Sequence, residues 1–351
     1  MSTQNHAQDA QDRYFMMLAI EQAKRGLYTT RPNPAVGCVI VRAEMIVGQG
    51  FHPKAGEPHA EVFAIKEAGA QTSGATAYVT LEPCSHTGRT PPCALALIKA
   101  GIKRVVIAGL DPNPQVAGRG VKLLEQAGIE VKVGVLTAQA EALNRGFLKA
   151  MRTQMPYVRL KIATSLDGRT AMASGESKWI TSAAAREDVQ KLRAQSGAII
   201  TGSETVIADN PKLNVRSNQL GVSFEQVPTP KVVVLDRRQR LDHSPNSEYQ
   251  LCRRSDTLYW RTDDLSALLK ELVSEHQCYD VLVEAGAGLA GSFLSQQLVD
   301  ELIVYQAPCL LGTKARSMIE FNPLSLAQQL RFDLVNHEQM GSDLRLTFLP
   351  L

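Results

Sequence analysis

Cys84 and Cys93 stand nine positions apart in LEPCSHTGRTPPC, and His59 and Glu61 stand upstream in GEPHAEVFAI. Thiolate sulfur and imidazole nitrogen are donors that zinc prefers. A catalytic zinc keeps three protein ligands and leaves a fourth position for water, whose pKa falls to about 7. His59, Cys84 and Cys93 supply three such donors. Glu61 falls in the first turn of the helix that His59 opens, close enough to reach that water without ligating. A carboxylate there can take the water's proton and hand it to a ring nitrogen and a leaving amine. Cys93 begins a helix of its own, whose N-terminal dipole favours a thiolate.

The set matches the H-x-E … P-C-x-x-C signature of zinc deaminases in all but one respect. Here the second cysteine follows the first by nine residues, with SHTGRTPP in between. Blander readings stand beside this one: two packing cysteines in a loop, and a histidine that only caps its helix. A sharper competitor is a closed structural site in which His86 is the fourth ligand. That site would fold His86 and Cys84 onto one ion across a tight turn and leave Glu61 without a task.

A second group of residues lies far downstream. EAGAGLAG places Gly286, Gly288 and Gly291 in a formal G-x-G-x-x-G between a strand and a helix. Backbone N–H groups and a helix N-terminus in that setting can cradle a phosphate. A Rossmann domain also needs an acid at the end of the next strand for the ribose. That strand, LIVYQAP, ends in Gln306, Ala307 and Pro308, so a Rossmann reading is disfavoured. The alternative is a glycine-rich turn that lets helix and sheet pack closely.

The elements that must position these residues follow from periodicity. Helical spacing marks residues 12–26, 59–69, 93–101 and 120–128; β-branched runs mark strands at 35–41, 45–50, 75–83, 104–112 and 129–136. Alternating strands and helices with short links imply a layered α/β domain with a largely parallel sheet. The domain ends near residue 145, residues 146–156 read as a linker, and the pattern restarts at 157 and runs to 351. The second domain reads as strands at 157–171, 197–202 and 231–236, a helix at 182–194, an irregular polar stretch at 240–256, and strand–glycine loop–helix–strand over 280–312. With 351 residues, 44% of them apolar, each domain can bury a core. The 38 basic and 35 acidic residues balance too closely to suggest a nucleic-acid partner. The sequence has no run long and apolar enough for a membrane span, and its first residues lack the apolar core of a signal peptide. The expectation is a cytoplasmic protein, in which a cysteine pair binds metal or does chemistry rather than forming a disulfide.

Taken together, TTRPNPAVGCVIV, GEPHAEVFAI and LEPCSHTGRTPPC resemble the deaminase half of the bifunctional riboflavin-biosynthesis deaminase/reductase family. The C-x8-C loop belongs to that family's pattern. LKIATSLDGRTA, SGESKWITS, VQKLRAQSGAIITGSETVIADNPKLNVR and VEAGAGLAGSFL are similar to its reductase half. The resemblance implies a cytidine-deaminase-like α/β/α domain followed by a dihydrofolate-reductase-like α/β domain, with one zinc ion in the first and NADPH in the second. It implies that Asn33, His52 and His86 line a pyrimidine pocket and that Arg89 meets the substrate's phosphate. Thr87 stands where some relatives carry a second histidine. In the second domain the implied cofactor contacts are Ala163, Trp179, Thr205, Asp209 and the loop Gly286, Ala287, Gly288, Leu289, Ala290, Gly291 and Ser292. Ser177, Arg193, Leu213, Arg216 and Glu284 are implied to hold the sugar phosphate, and Lys161 to face the nicotinamide and the uracil carbonyl. The expected activity is hydrolytic deamination of a phosphoribosylamino-pyrimidine followed by reduction of its ribosyl chain to ribityl, in a homo-oligomer (dimer or tetramer) acting on a small molecule. Two readings compete with it: a nucleic-acid or nucleoside deaminase with an accessory binding domain, and a non-enzymatic protein clipped by zinc.

Overall fold

The computed structural model describes residues 2–85, 91–113, 116–244 and 246–351. The chain divides into two units, residues 1–153 and 154–351. In the first, α1 (Ser2–Lys24) precedes a hairpin of β1 (Gly37–Arg42) and β2 (Met45–Phe51). Then come α2 (Ala60–Ala68), β3 (Thr76–Val79), α3 (Cys93–Lys99), β4 (Arg104–Ile107), α4 (Arg119–Gln126), β5 (Glu130–Val133), α5 (Thr137–Glu141) and α6 (Arg145–Thr153). The sheet runs β2-β1-β3-β4-β5, antiparallel through the hairpin and β3, and parallel from β3 to β5.

Alternation along the strands sends Cys38, Ile40, Ala77 and Val79 against α2, α3 and α4, and Val39, Val41, Tyr78 and Val106 against α1 and α5. Glycines bring the hairpin within backbone contact of both layers. A Cβ on Gly37 would lie 2.0 Å from the Ala19 carbonyl of α1, and one on Gly48 or Gly50 would lie 2.2 or 2.5 Å from the Ala64 or Ala60 carbonyl of α2. Only glycine permits that approach. Asp12 ties α1 to the sheet. Its buried carboxylate accepts from Arg104 Nη1 and Nη2 at 2.7 and 2.9 Å, from Lys132 at 2.8 Å and from the Tyr78 hydroxyl at 3.1 Å.

Several boundaries differ from the periodicity. The helix expected over 12–26 begins at Ser2, and the strands expected over 75–83 and 104–112 stop at Val79 and Ile107, leaving their polar ends as loops. The segment read as a linker folds for most of its length as α6.

The second unit contains β6 (Tyr157–Ser165), β7 (Arg169–Ala171), α7 (Ala183–Gln195), β8 (Ala198–Gly202), α8 (Ser203–Asp209), β9 (Lys231–Leu235), β10 (Leu258–Trp260), α9 (Leu265–Ser274) and β11 (Asp280–Glu284). It continues with α10 (Ala287–Ser295), β12 (Glu301–Ala307), β13 (Arg316–Ser317), β14 (Phe332–Met340) and β15 (Asp343–Pro350). Its main sheet runs β10-β9-β8-β11-β6-β12-β15-β14, parallel from β10 to β12, with β15 and β14 antiparallel at the edge. One face packs Leu160, Ile200 and Val283 against α9 and α10; the other packs Ile199, Leu282 and Tyr305 against α7 and α8. The described part of 240–256 contains neither helix nor strand.

Burial alone would raise the Asp12 carboxyl, but Arg104 and Lys132 outweigh it and hold the group down at about 2. Asp12→Ala is expected to cost about 3 kcal/mol in urea unfolding at neutral pH, as removal of one partner from a buried ion pair does. A folded-state pKa below the unfolded value means that the contribution is complete above the ordinary carboxylate range and is lost as pH falls toward about 2. Wild type and variant should therefore converge in acid; a gap that does not narrow there contradicts the assignment.

Candidate functional site

In the first unit, α2, α3 and the loop after β3 meet at one point. His59 is the N-cap residue of α2, Cys93 the first residue of α3, and Cys84 lies in the loop beyond β3. His59 Nδ1 is 3.7 Å from Cys84 Sγ and 3.3 Å from Cys93 Sγ, and the three donor atoms all lie within 4.8 Å of one another. A tetrahedral ion with bonds of about 2.0 Å to nitrogen and 2.3 Å to sulfur spaces its donors by roughly 3.3–3.8 Å, so this set fits zinc. The Cys93 backbone N–H donates to Cys84 Sγ at 3.3 Å, which adds an α3 amide to the charge stabilising that sulfur. The Cys93 thiol and His59 pull Cys84 down to about 4, while Cys84 and burial push Cys93 up. Two sulfurs this close hold one negative charge between them; a divalent cation lets both be thiolates.

Glu61 is buried beside them, and its Oε2 has no hydrogen-bond partner among the described residues. Burial, reinforced by the charge of Cys84, raises its carboxyl above the usual range. Asn33 and His52 are brought to the same place. His52 Nδ1 donates to the Pro58 carbonyl at 3.1 Å, which leaves Nε2 to accept from Asn33 Nδ2 at 3.0 Å, and its ring meets His59 edge-on at 5.2 Å. Burial keeps His52 neutral by lowering its pKa. Both ring nitrogens of His52 are thus engaged within the protein, and its contact with Nδ2 orients the Asn33 amide. His86 and Arg89 lie outside the described residues.

Glu82 was not singled out by its motif, although it stands directly before Pro83 and Cys84. Its buried carboxylate accepts backbone N–H groups from Asp111, Gly118, Gly120 and Val121. It therefore pins the segment that carries Cys84 to the loop before α4 and to the first turn of α4. An acid preceding P-C was the available signal.

The second unit has a cavity of about 1340 Å³ along the C-terminal edge of its parallel strands. Lys161, Ala163, Ser177, Trp179, Arg193, Thr205, Asp209, Leu213, Arg216, Glu284 and Gly286–Leu289 all line it. Ala290, Gly291 and Ser292, expected to join them, do not: α10 carries them away from the wall. Gly291 instead allows close packing, since a Cβ there would fall 1.9 Å from the Glu320 carbonyl. The glycine loop thus serves both readings, with Gly286 and Gly288 at the cavity and Gly291 against the chain behind it.

Charge is concentrated on the cavity floor. Arg193 grips Glu284 with Nε and Nη2 at 2.6 and 2.9 Å, and Glu284 lies opposite Lys161 in the β11–β6 register. Arg216 Nη1 donates to Asn214 Oδ1 at 2.7 Å. Burial, together with Arg193, lowers Lys161; burial of Glu284 is overcome by Arg193, which lowers its carboxyl. Lys161, Arg193 and Arg216 gather around Glu284, with Asp209 acting on Lys161 and Glu187 on Arg216, and the two guanidinium groups are the donors suited to a phosphate. Ser177 donates to Asp209 at 3.2 Å, and the exposed Trp179 ring is covered by the Arg186 guanidinium at 4.4 Å. Arg186, Glu320 and Arg237, Arg238 and Arg240 of DRRQR (236–240) also line the cavity and were missed. The basic run in DRRQR was a readable signal; the approach of Glu320 to Gly288 was not.

Residues 156–346 match the family described as RibD C-terminal domain, and residues 9–109 match the cytidine and deoxycytidylate deaminase zinc-binding region. The riboflavin biosynthesis protein RibD of Haemophilus influenzae is 50% identical over 97% of this chain and 98% of its own, and that of Escherichia coli 49% identical over 93% and 96%. Among solved structures, form 1 of RibD from Acinetobacter baumannii superposes with a TM-score of 0.93 at 55% identity, covering 98% of this chain and 99% of the other. A diaminohydroxyphosphoribosylaminopyrimidine deaminase/5-amino-6-(5-phosphoribosylamino)uracil reductase from Thermotoga maritima gives 0.86 at 33% identity, covering 98% and 100%.

The convergence of three donors predicts one zinc per chain by elemental analysis of the purified protein. Cys84→Ala and His59→Ala should each lower metal affinity at least tenfold in a chelator competition, since two donors remain. Wild-type affinity in both variants would place the metal elsewhere.

Proposed function

The chain belongs to the bifunctional riboflavin-biosynthesis deaminase/reductase family, and from that premise we infer which residues carry its two reactions. The first unit deaminates 2,5-diamino-6-(5-phosphoribosylamino)pyrimidin-4(3H)-one: water replaces the amino group at C2, and ammonia leaves. His59, Cys84 and Cys93 hold zinc, which when bound supplies the acidity that makes water a nucleophile near neutral pH. Glu61 accepts one proton of the water on Oε2 and delivers it to the ring nitrogen beside C2, then carries the remaining hydroxyl proton to the departing amine, which leaves as ammonia while C2 becomes a carbonyl. The observation that carries this role is a carboxylate buried beside three metal donors whose Oε2 has no partner among the described residues. Asn33, oriented by His52, holds the pyrimidine; His86 and Arg89 are assigned to the ring and the phosphate.

The second unit reduces the ring-opened ribosyl chain of the deaminated product to ribityl, giving 5-amino-6-(5-phosphoribitylamino)uracil. NADPH supplies the hydride. Gly286–Leu289 and the N-terminus of α10 hold its diphosphate, with Ala163, Trp179, Thr205 and Asp209 around the rest. Glu284 keeps the Arg193 fork aligned beside Lys161 and Arg216, and these three basic side chains receive the sugar phosphate and the uracil carbonyl. Both substrates are small molecules. We assign the protein to the cytoplasm; no described helix is long and apolar enough to cross a membrane. β14 is an edge strand of nine residues with Leu334 and Val335 half exposed, and a second copy of the chain is the partner we assign to it.

Glu61→Gln tests the deaminase assignment, because it keeps shape and removes the proton acceptor. It should retain one zinc per chain and lose about 10³-fold in ammonia release, with NADPH oxidation on the deaminated intermediate unchanged. A variant that holds zinc and deaminates at the wild-type rate removes Glu61 from the mechanism.

A further inference from the structure

α7 turns one stripe of side chains to the cavity of the second unit: Arg186, Gln190 and Arg193, at helical spacing, all line it. The same helix holds the loop that carries Arg216. Glu187 accepts from the Ser217 hydroxyl, Gln190 Oε1 accepts the Arg216 backbone N–H at 3.1 Å, and Arg193 Nη1 donates to the Asn214 carbonyl at 3.3 Å. The helix residues rise in number as the loop residues fall, so the chain from Asn214 to Ser217 lies antiparallel along α7. Gln190 is the middle of these ties, and it grips the backbone of the residue whose guanidinium is offered to the substrate.

That one bond fixes which end of the Gln190 amide is left over. The Arg216 N–H is a donor, so the amide oxygen must meet it, and the NH2 group is turned away. Gln190 is only 5% exposed, and its Nε2 has no partner among the described residues, yet that atom is not sealed from solvent. In a side chain that lines the cavity, this leaves the NH2 donors open to it. Donor accounting gives them a use. Of the five N–H donors of Arg193, Glu284 takes two and the Asn214 carbonyl a third. Arg216 commits another to the Asn214 side chain. A phosphate presents three strong acceptor oxygens, and guanidinium groups held in this way cannot turn to meet all of them.

We propose that Gln190 is a phosphate-binding residue for the reductase substrate: Oε1 fixes the backbone of Arg216, and Nε2 donates to a phosphate oxygen held between the Arg193 and Arg216 guanidinium groups. The proposal rests on the reading of this floor as the sugar-phosphate site. An amide suits the position. It supplies a donor without a further charge to be buried beside Lys161, Arg193 and Arg216 when no substrate is bound, and its oxygen serves the loop at the same time.

Titration of the full chain with ribose 5-phosphate tests this, followed by NMR on protein labelled with nitrogen-15 at glutamine and arginine, so that this site is read whatever the ligand does in the first unit. The side-chain NH2 pair of Gln190, identified as the pair missing from Gln190→Glu, should move downfield as the ligand saturates the site. Affinity read at the Arg193 Nε–H should fall roughly 10–100-fold in both Gln190→Leu and Gln190→Glu, the worth of one hydrogen bond to a charged group. Gln190→Glu keeps an acceptor for the Arg216 N–H, whose resonance reports that the loop is still held; Gln190→Leu removes the donor without adding charge. Wild-type affinity in either variant, or an NH2 pair unmoved at saturation, overturns the proposal. Arg216→Ala separates this from the underlying reading, since it should weaken binding at least tenfold. If ribose 5-phosphate leaves the Arg193 and Arg216 resonances of the wild type unmoved, or binds Arg216→Ala as tightly, the sugar-phosphate reading falls and the proposal with it.

Discussion

Two sulfurs and an imidazole nitrogen held within 4.8 Å of one another constrain the whole first unit. No single element supplies them. One comes from the residue that caps α2, one from the first turn of α3, and one from the loop that leaves β3. Each end must therefore be fixed independently. The hairpin glycines fix α2 by admitting its backbone; Glu82 fixes the loop by gathering four amides; Asp12 fixes the layer on the far face of the sheet. Glu61 then arrives beside the donors because it is the second residue of α2.

The second unit solves a different problem with the same device, the C-terminal edge of parallel strands, where ligands of open α/β sheets gather. A buried ion pair such as Arg193–Glu284 adds little to stability once desolvation is counted. Its value here is geometric. The Glu284 carboxylate accepts from Nε and Nη2 along one edge of the guanidinium, and Nη1 donates to the Asn214 carbonyl, so Arg193 presents a fixed charge rather than a mobile one.

Much of this was legible because the informative residues are close in sequence or repeat at a simple period. H-x-E places Glu61 near His59 by helix geometry alone, and β-branched runs announce β1, β6, β8, β9 and β11. Where the sequence was silent, the reason is distance. Nothing in VEAGAGLAG tells that Gly291 will meet the Glu320 carbonyl, or that Asp236 will spend its charge on the amides of its own loop. The same holds for His52, whose two engaged nitrogens depend on Pro58 and on Asn33 from a separate loop. Strand ends were overestimated where an apolar run continued into a loop, as in YVTLEP, because hydrophobicity records burial and not hydrogen-bond pairing.

Gly48 and Gly50 touch no ligand atom, yet they bear on the deaminase centre as directly as a donor does. Every residue other than glycine would place a carbon inside the backbone of α2, at the carbonyls of Ala64 and Ala60. Ala60 is the residue between His59 and Glu61. In a saturation library these two hairpin positions would therefore sort with the metal donors and not with the surface of β2 around them. The sequence space open to this enzyme is narrowed by a contact that no inventory of its reacting groups would include.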